Sequence, residues 1–175
     1  MNKKGEEKAA IAPEHFTAAM ARAATGVSIV TTDGSAGKLG MTVSAFSSVS
    51  AEPPLLLVCI NRRSPLVEAI GENAVFCVNL LHTGHRRLAD RFAGRESSGE
   101  PYVFDNGVWR REFTGAPVLP GAVAHFDCSL ASVHDAGSHR IFIGQVLHIE
   151  STENKPLVYT AREYQQITQL QELEG

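Results

Sequence analysis

Hydroxyl side chains crowd one short stretch of the chain, GMTVSAFSSVS at residues 40–50. The apolar run PPLLLVCIN, residues 53–61, follows shortly after it and leads into NRRSP, residues 61–65. Phosphate groups are held by neutral O–H and N–H donors, by arginine forks and by the positive ends of helices. Together these segments contain all three kinds of group, so phosphate binding is the first chemistry to consider.

A strand over the hydroxyl-rich stretch would place Thr42 and Ser44 on one side, because side chains alternate along a strand. Asn61 and the arginines at 62 and 63 follow the apolar strand, and Ser64 is a good N-cap for a helix that opens with proline. These residues could form a phosphate cradle. The residue types favour the phosphate cradle and its alternative equally. In that alternative the hydroxyls form a solvent-facing row and Ser64 only caps its helix.

Other catalytic motifs are missing from the sequence. The segment GSAGKLG, residues 34–40, has neither the dinucleotide-binding spacing G-x-G-x-x-G nor the phosphate-binding spacing of a P-loop, and no G-x-S-x-G elbow occurs. His82 with His85, and His134 with His139, form pairs without an HExxH frame or a cysteine at zinc spacing. We therefore predict no metal site and interpret the histidines as surface or turn residues.

The cysteines Cys59, Cys77 and Cys128 lie in apolar or alternating runs and show no C-x-x-C spacing. Free cysteine packs as a small hydrophobic side chain, so we expect buried, reduced thiols. A catalytic thiol would need exposure and a nearby base.

The elements that position these residues are mostly strands. A short helix begins near Pro13 and stops by Gly26, and further helices are predicted over 64–73 and 84–92. Residues 95–121, rich in Gly, Pro and charge, predict a long excursion. Strands are predicted over 26–32, 39–50 and 53–61 as a meander, and then over 74–81, 122–136, 138–152 and 156–167. The absence of regular βα alternation favours a mainly β closed barrel with helical insertions.

Composition predicts one globular domain, since 175 residues with 43% hydrophobic and 20% charged side chains can bury a real core. We expect a flexible tail over residues 1–12, the domain over 13–168 and a second tail over 169–175. The net charge of −3 argues against nucleic acid as a partner, and no apolar stretch is long enough for a membrane span. A soluble cytoplasmic protein is expected.

The same segments resemble the short-chain flavin reductases of two-component flavin monooxygenases. The resemblance rests on GVSIVTTDG, MTVSAFSSVSAEPPLLLVCINRRS, FCVN, DRFAG, GSHRIFIGQV and PLVY, which occur in order over residues 14–165. It implies an FMN-binding split β-barrel, Greek-key-like, that forms a homodimer and holds FMN or FAD without a covalent bond.

The resemblance also implies the site residues. Thr42, Val43, Ser44 and Ala45 would line the flavin; Asn61, Arg62 and Ser64 would contact its phosphoribityl arm; Val78 and Asn79 would lie at its ring; and Arg91 and Phe92 are further candidates. The family's Gly-Asp-His or Gly-Thr-His element corresponds here to Gly137-Ser138-His139. His139 is therefore the expected catalytic residue beside the nicotinamide, and its alternative is a plain turn histidine after Gly137.

The implied reaction is hydride transfer from NADH or NADPH to the flavin, with reduced flavin passed to a separate monooxygenase. Such chemistry needs two stacked rings and stabilisation of charge on the reduced flavin rather than an acid–base pair. Two alternatives remain open at this point. The enzyme could keep its flavin and reduce another acceptor, such as an aromatic compound or a cobalt corrinoid, or the barrel could be a flavin-binding module without turnover.

Overall fold

The computed structural model describes residues 11–95, 102–104 and 108–169. Its α-helices are α1 (Pro13–Met20), α2 (Leu66–Asn73) and α3 (Arg86–Phe92), and a 3-10 turn, Thr83–His85, precedes α3. The three predicted helices are thus confirmed, with ends that differ by a few residues.

Strands make up most of the rest of the described chain. In chain order they are β1 (Thr25–Gly26), β2 (Ser28–Thr32), β3 (Leu39–Val43), β4 (Phe46–Ala51), β5 (Pro54–Asn61), β6 (Val75–Leu80), β7 (Arg110–Arg111), β8 (Pro117–Val118), β9 (Ala124–Ala136), β10 (His139–Ser151), β11 (Leu157–Thr160) and β12 (Glu163–Gln166).

Seven strands form one antiparallel sheet in the order β3-β2-β6-β9-β10-β5-β4. β3 and β4 lie at opposite ends of that order although only Ser44 and Ala45 separate them in the chain. The sheet must therefore curl until its two edges meet at this bend, where the Cys59 backbone N–H donates to the Ala45 carbonyl at 2.9 Å and so extends the β4–β5 ladder by one position. The predicted mainly β closed barrel is confirmed.

The predicted three-strand meander is wrong at its centre. The hydroxyl-rich stretch bends at Ser44 and Ala45 into β3, which pairs with β2, and β4, which pairs with β5. β3 and β4 are the two end strands of the sheet, each paired with a different neighbour. A single straight strand could not occupy both ends, so the chain has to bend between them. The bend consequently leaves β3 with a strand partner on one edge only within the seven-stranded sheet.

Alternating apolar residues of the long strands fill the barrel. Val58, Phe76, Val78 and Phe142 are fully buried there, and α2 closes one end with Ile70. A second cluster beneath α3 contains Ile29, Phe92 and Leu157 among others. The two clusters lie on opposite faces of β2, which explains why that strand is buried along its whole length.

The predicted excursion over 95–121 is described only in part. Residues 114–119 cover the outer face of the sheet: the Thr31 hydroxyl donates to the Pro117 carbonyl at 2.5 Å, and the buried Asp127 carboxylate accepts from the Thr114 N–H at 2.9 Å and from its hydroxyl. Residues 1–10 and 170–175, most of the two predicted tails, lie outside the described residues. The predicted domain limits stay a prediction.

The C-terminal strands form a hairpin that pairs with β1 rather than with the large sheet. Its two-residue turn, Ala161 and Arg162, has positive φ angles of 51° and 65°. Turns of this geometry normally contain Gly, Asn or Asp. The Ala161 N–H donates to the Ala21 carbonyl after α1, which fixes the hairpin against the barrel.

Candidate functional site

His139 lies opposite Asn61 in the antiparallel pairing of β10 with β5. Next to this pair, the Arg62 N–H donates to the Ser138 carbonyl at 3.0 Å, and the Ser138 hydroxyl is 2.9 Å from His139 Nδ1. Residues that are far apart in the sequence therefore meet at one end of the barrel. The predicted catalytic histidine and the predicted Asn-Arg turn form one exposed cluster.

An ion-pair network fixes the arginine of this cluster. Asp135 accepts from Arg140 Nε at 2.7 Å, and its carboxylate is 3.7 Å from the Arg62 guanidinium. The hydrogen bond from Arg140, and then the charges of both arginines, lower the pKa of Asp135. Because all these groups are exposed or nearly so, the network orients Arg62 more than it stabilises the fold.

The turn after β5 is held by its own side chains. Asn61 Oδ1 accepts from the Arg63 N–H at 3.0 Å, and Ser64 Oγ accepts from the Leu66 N–H at 3.3 Å at the start of α2. Ser64 Oγ also contacts Met41 Sδ of β3 at 3.4 Å. The capping role that the sequence left open for Ser64 is thus present. Its contact with Met41 spans the gap between β3 and β5.

A cavity of about 470 Å³ opens in that gap, and we call it the edge cavity. It is lined by Leu39, Gly40, Met41, Asn61, Arg63, Ser64, Pro65, Leu66 and Tyr102. The walls are mainly apolar, with a few polar groups at the Asn61 end. Sites for flat organic ligands have this size and this balance of side chains.

Thr42 and Ser44 face a different space, on the α3 side of β3. The Thr42 hydroxyl donates to the Ala89 carbonyl of α3 at 2.7 Å and so fastens α3 to the strand. With Val27, Ala93, Arg95, Tyr159 and Tyr164, the two residues line a cavity of about 110 Å³, which we call the hydroxyl cavity. The structure therefore does not place the two halves of the predicted phosphate cradle in one cavity, because Asn61 and Ser64 line the edge cavity instead.

Several predicted flavin contacts lie in the protein interior. Val43 and Val78 belong to the barrel core, and Phe92 packs edge to face against Phe104 and Trp109. Their side chains do not line either cavity. They shape the walls behind the cavities, which differs from the direct contact that the resemblance implied.

Asn79 is fully buried and its amide is used by the fold. Nδ2 donates to the carbonyls of Ile29 and Pro117 at 3.1 and 3.3 Å, and Oδ1 accepts from the Leu119 N–H at 2.7 Å. The amide thereby joins the sheet to the covering segment. The place at the flavin ring that the resemblance implied for Asn79 stays a prediction, and its side-chain amide is already bonded within the fold.

The two other candidates lie nearer the surface. Ala45 is exposed at the bend between β3 and β4, and Arg91 is partly buried near the end of α3. The Arg91 carbonyl accepts from the N–H groups of Gly94 and Tyr102. The end of α3 therefore lies beside both cavities, because Ala93 lines the hydroxyl cavity and Tyr102 lines the edge cavity.

Sequence reasoning missed Arg95, Tyr159 and Tyr164 as site residues. The two tyrosines face each other across β11 and β12 with ring centroids 5.4 Å apart. Burial, and then the nearby Asp90, raise the pKa of Tyr164 to about 12. Aromatic residues placed opposite each other around a two-residue turn were the signal that could have found this hairpin, although its docking onto α3 is a tertiary contact.

The two histidine pairs weighed as metal candidates are built differently. His82 and His85 lie with ring centroids 3.6 Å apart. His134 lies at the exposed end of β9, where its Nε2 is 3.2 Å from the Ser132 hydroxyl. Within residues 11–95, 102–104 and 108–169, no three His, Cys, Asp or Glu side chains converge in a way that could hold a metal ion. None of the helices described is long and apolar enough to cross a bilayer.

Residues 20–168 match the family model described as flavin reductase like domain. A protein of Ancylobacter novellus named FMN reductase (NADH) RutF is 41% identical over 156 residues, covering 89% of this chain and 85% of that protein. The protein of the same name from Variovorax paradoxus is 43% identical over 150 residues, covering 85% and 82%.

Solved structures agree with these sequence matches. Flavin reductase PheA2 in its native state superposes with a TM-score of 0.82 at 34% identity, covering 91% of this chain and 100% of that one. BorF, the flavin reductase component of a bacterial two-component tryptophan halogenase, gives a TM-score of 0.81 at 31% identity, with 91% and 100% covered. The NADH:FAD oxidoreductase SgcE6 of Streptomyces globisporus C-1027, in complex with NAD and FAD fragments, gives 0.80 at 28%, with 91% and 97% covered.

Proposed function

The chain belongs to the flavin reductase like domain family, and from that premise we propose that it transfers hydride from NADH to FMN. It is an oxidoreductase that uses a flavin and a nicotinamide. The observation that carries the proposal is the register of β10 on β5, which places His139 against Asn61 beside the edge cavity.

The described residues fit a flavin. The edge cavity of about 470 Å³ is large enough for an aromatic ring system, and its apolar walls include Leu39, Met41 and Tyr102. β3 supplies an edge without a strand partner in the sheet, where backbone groups can bond the polar rim of such a ring. From Gly40 to Ser44 this edge runs for about 13 Å, at roughly 3.3 Å per residue.

The position of His139 sets the direction of the flavin along that edge. Hydride transfer requires the nicotinamide and the flavin ring to stack, so the ring belongs at the Asn61 end if His139 holds the nicotinamide. The ribityl phosphate then extends toward Ser44 and Arg95 in the hydroxyl cavity. Asn61, Arg62 and Ser64 accordingly contact the ring end in this proposal, rather than the phosphoribityl arm.

The chain's own groups prepare the reaction by position and charge. When bound, the flavin supplies the hydride acceptor. Ser138 engages Nδ1 of His139, which leaves Nε2 available to a ligand such as the nicotinamide carboxamide. Arg62, oriented by Asp135, adds a positive charge near the position where negative charge develops.

The proposal includes a homodimer in the cytoplasm and release of reduced flavin to a separate monooxygenase. Two similar solved structures, nitrilotriacetate monooxygenase component B and the flavin reductase of a styrene monooxygenase, support the monooxygenase partner. Exposed apolar side chains on β4 and β10, Val49 and Ile149 among them, offer surface for a second copy. Sedimentation equilibrium tests this assembly, and a concentration-independent monomer would contradict it.

The test of function is NADH oxidation by purified protein with FMN, FAD or riboflavin as acceptor, under anaerobic rapid mixing. We expect NADH-dependent bleaching of the flavin at rates far above the reaction without protein. If no acceptor is reduced faster than in that blank, the barrel binds flavin without turnover and the proposal fails.

A further inference from the structure

Tyr102 forms an aromatic wall of the edge cavity. Among the residues that the structure describes, it is the only aromatic side chain in the lining of that cavity, which it shares with Leu39 and Met41 of β3. Its side chain is 46% exposed, so a ligand in the cavity can reach the ring. Flat ring systems pack well against aromatic side chains. Tyr102 is therefore placed to contact a flat ligand.

The backbone of Tyr102 has a conformation that bulky residues rarely adopt. Its φ of 63° lies in the left-handed region, where the Cβ of an L residue comes too close to the following carbonyl oxygen. The Tyr102 N–H donates to the Arg91 carbonyl at 3.3 Å, which ties this strained residue to the end of α3. Strained residues persist where the surrounding structure holds them, and they cluster at ligand-binding sites. The strain at Tyr102 is consistent with a role of its side chain in binding.

Gly94, just after α3, leaves the space that the Tyr102 side chain occupies. A Cβ added at Gly94 would lie 2.5 Å from the Tyr102 hydroxyl oxygen and 3.1 Å from Cζ, too close for packed atoms. The phenol end of Tyr102 thus rests against bare backbone. Its ring is in position before a ligand arrives, and such preorganisation reduces the entropy lost on binding.

Phe104, two residues after Tyr102, fixes the same short segment to β3. Its ring packs edge to face against Phe92 and Trp109, with centroids 5.0 Å from each. Gly40 of β3 leaves room for this ring, because a Cβ there would lie 2.9 Å from Phe104 Cζ. The segment is therefore held by α3 at Tyr102 and by β3 at Phe104.

We propose that Tyr102 binds the flavin ring by packing against the isoalloxazine in the edge cavity and shielding it from water. The inference rests on the proposed function, which places the flavin ring in that cavity. Packing against the ring should contribute equally to FMN, FAD and riboflavin, because all three carry the same ring. Exclusion of water also strengthens the effect of nearby charges on hydride transfer. Tyr102 thus acts on the ring, whereas Ser44 acts on the phosphate.

The first test measures riboflavin and FMN affinity for the full chain and three variants by fluorescence titration. Tyr102→Leu removes the aromatic ring, and we expect both dissociation constants to rise at least about tenfold, the scale of one stacking contact. Tyr102→Phe keeps the ring and should change them by less than about twofold. Phe113→Leu is the matched control, because Phe113 is 71% exposed and does not line the edge cavity, and it should bind both flavins like the wild type.

The second test distinguishes contact with the flavin from an indirect structural effect. An excited flavin takes an electron from a phenol ring in contact with it and then returns it, which shortens the fluorescence lifetime. A phenyl ring is much harder to oxidise and does not quench in this way. Tyr102→Phe should therefore lengthen the lifetime of bound riboflavin severalfold while the affinity is kept. A tyrosine with a merely structural role would not change this lifetime.

Three outcomes would overturn the proposal. Riboflavin affinity within about twofold of the wild type in Tyr102→Leu, or an unchanged lifetime in Tyr102→Phe, would mean that the flavin ring lies elsewhere. A raised KM for NADH in Tyr102→Leu with flavin affinity unchanged would assign the side chain to the nicotinamide instead. NADH oxidation by the wild-type chain is measured separately, so this proposal can fail while the reductase activity stands.

Discussion

The Asn61 and His139 positions are paired across β5 and β10, at the end of the barrel where α2 begins. Neither residue is in the core, and each is held by its own neighbour: Asn61 by the Arg63 N–H and His139 by the Ser138 hydroxyl. The pairing fixes where a nicotinamide would have to lie relative to the edge cavity. The proposed direction of the flavin and the proposed role of His139 both rest on this relationship.

His139→Ala should slow flavin reduction without weakening the flavin. A residue that contacts only the nicotinamide contributes one or two positioning hydrogen bonds, so kcat/KM for NADH should fall by about 10-fold to 100-fold. Anaerobic rapid mixing measures the reduction step apart from product release. Ser138→Asp, which restores the family's commoner triplet, should change the rate only modestly.

His134→Ala is the control for this variant, because His134 is exposed on the same β9–β10 hairpin and bonds only Ser132 among the described contacts. Its reduction rate should match that of the wild type. If His139→Ala reduces its flavin at the wild-type rate at every NADH concentration, His139 is a turn residue and other groups hold the nicotinamide.

Ser44→Ala and Arg62→Ala should separate the two ends of the flavin. Ser44 lies in the cavity assigned to the phosphate, so its loss should weaken FMN by about 1 kcal/mol and leave riboflavin unchanged. Arg62 lies at the ring end, so its loss should weaken FMN and riboflavin alike. Fluorescence titration gives both dissociation constants, and a selective loss of FMN with Arg62→Ala would reverse the proposed direction.

The strands and helices could be predicted from the sequence because each carries its own local signal. β5 alternates buried and partly buried positions, and Ser64-Pro65 marks the start of α2. Residues 40–50 misled the prediction, since nothing in their pattern distinguishes one strand from two strands joined by a bend. Only closure of the barrel requires the break at Ser44 and Ala45.

The site was predictable as a set of segments and not as a geometry. The hydroxyl residues and the Asn-Arg turn were found from their types, but their separation into two cavities depends on which face of β3 each one meets. Tyr159 and Tyr164 were missed because their contribution comes from docking of the C-terminal hairpin beside α3. Such a contact has no local signal in the sequence.

Asn79→Ala should destabilise the fold rather than the flavin complex. The substitution leaves the buried Leu119 N–H without its acceptor and removes one of the two donors to the Pro117 carbonyl, so we expect the free energy of unfolding to fall by about 2 to 3 kcal/mol. Urea denaturation measures this change. The control Asn154→Ala removes an exposed bond to the Gly121 carbonyl and should cost less than about 1 kcal/mol. A loss of FMN affinity with stability unchanged would show instead that Asn79 meets the flavin.

His85 should make the fold less stable in mild acid. Burial, and then the neighbouring His82, lower the pKa of His85 from 6.5 to about 4, and its Nδ1 is buried without a hydrogen-bond partner. Between pH 6.5 and about 4 the unfolded chain therefore takes up a proton that the folded chain excludes, so stability falls as the pH falls through this window. Below about pH 4 both states are protonated at this position, and its contribution to the slope ends.

The measurement is Tm against pH for His85→Gln and for the control His15→Gln, an exposed residue of α1. Removing the His85 imidazole removes the group that must stay neutral in the fold, so Tm should fall less steeply from pH 6.5 to 4 than in the wild type. The His15 variant should follow the wild-type curve, because His15 is exposed on α1 and packs against no part of the core. Parallel curves for all three proteins would mean that His85 can be protonated where it lies, with its ring turned toward solvent and away from His82.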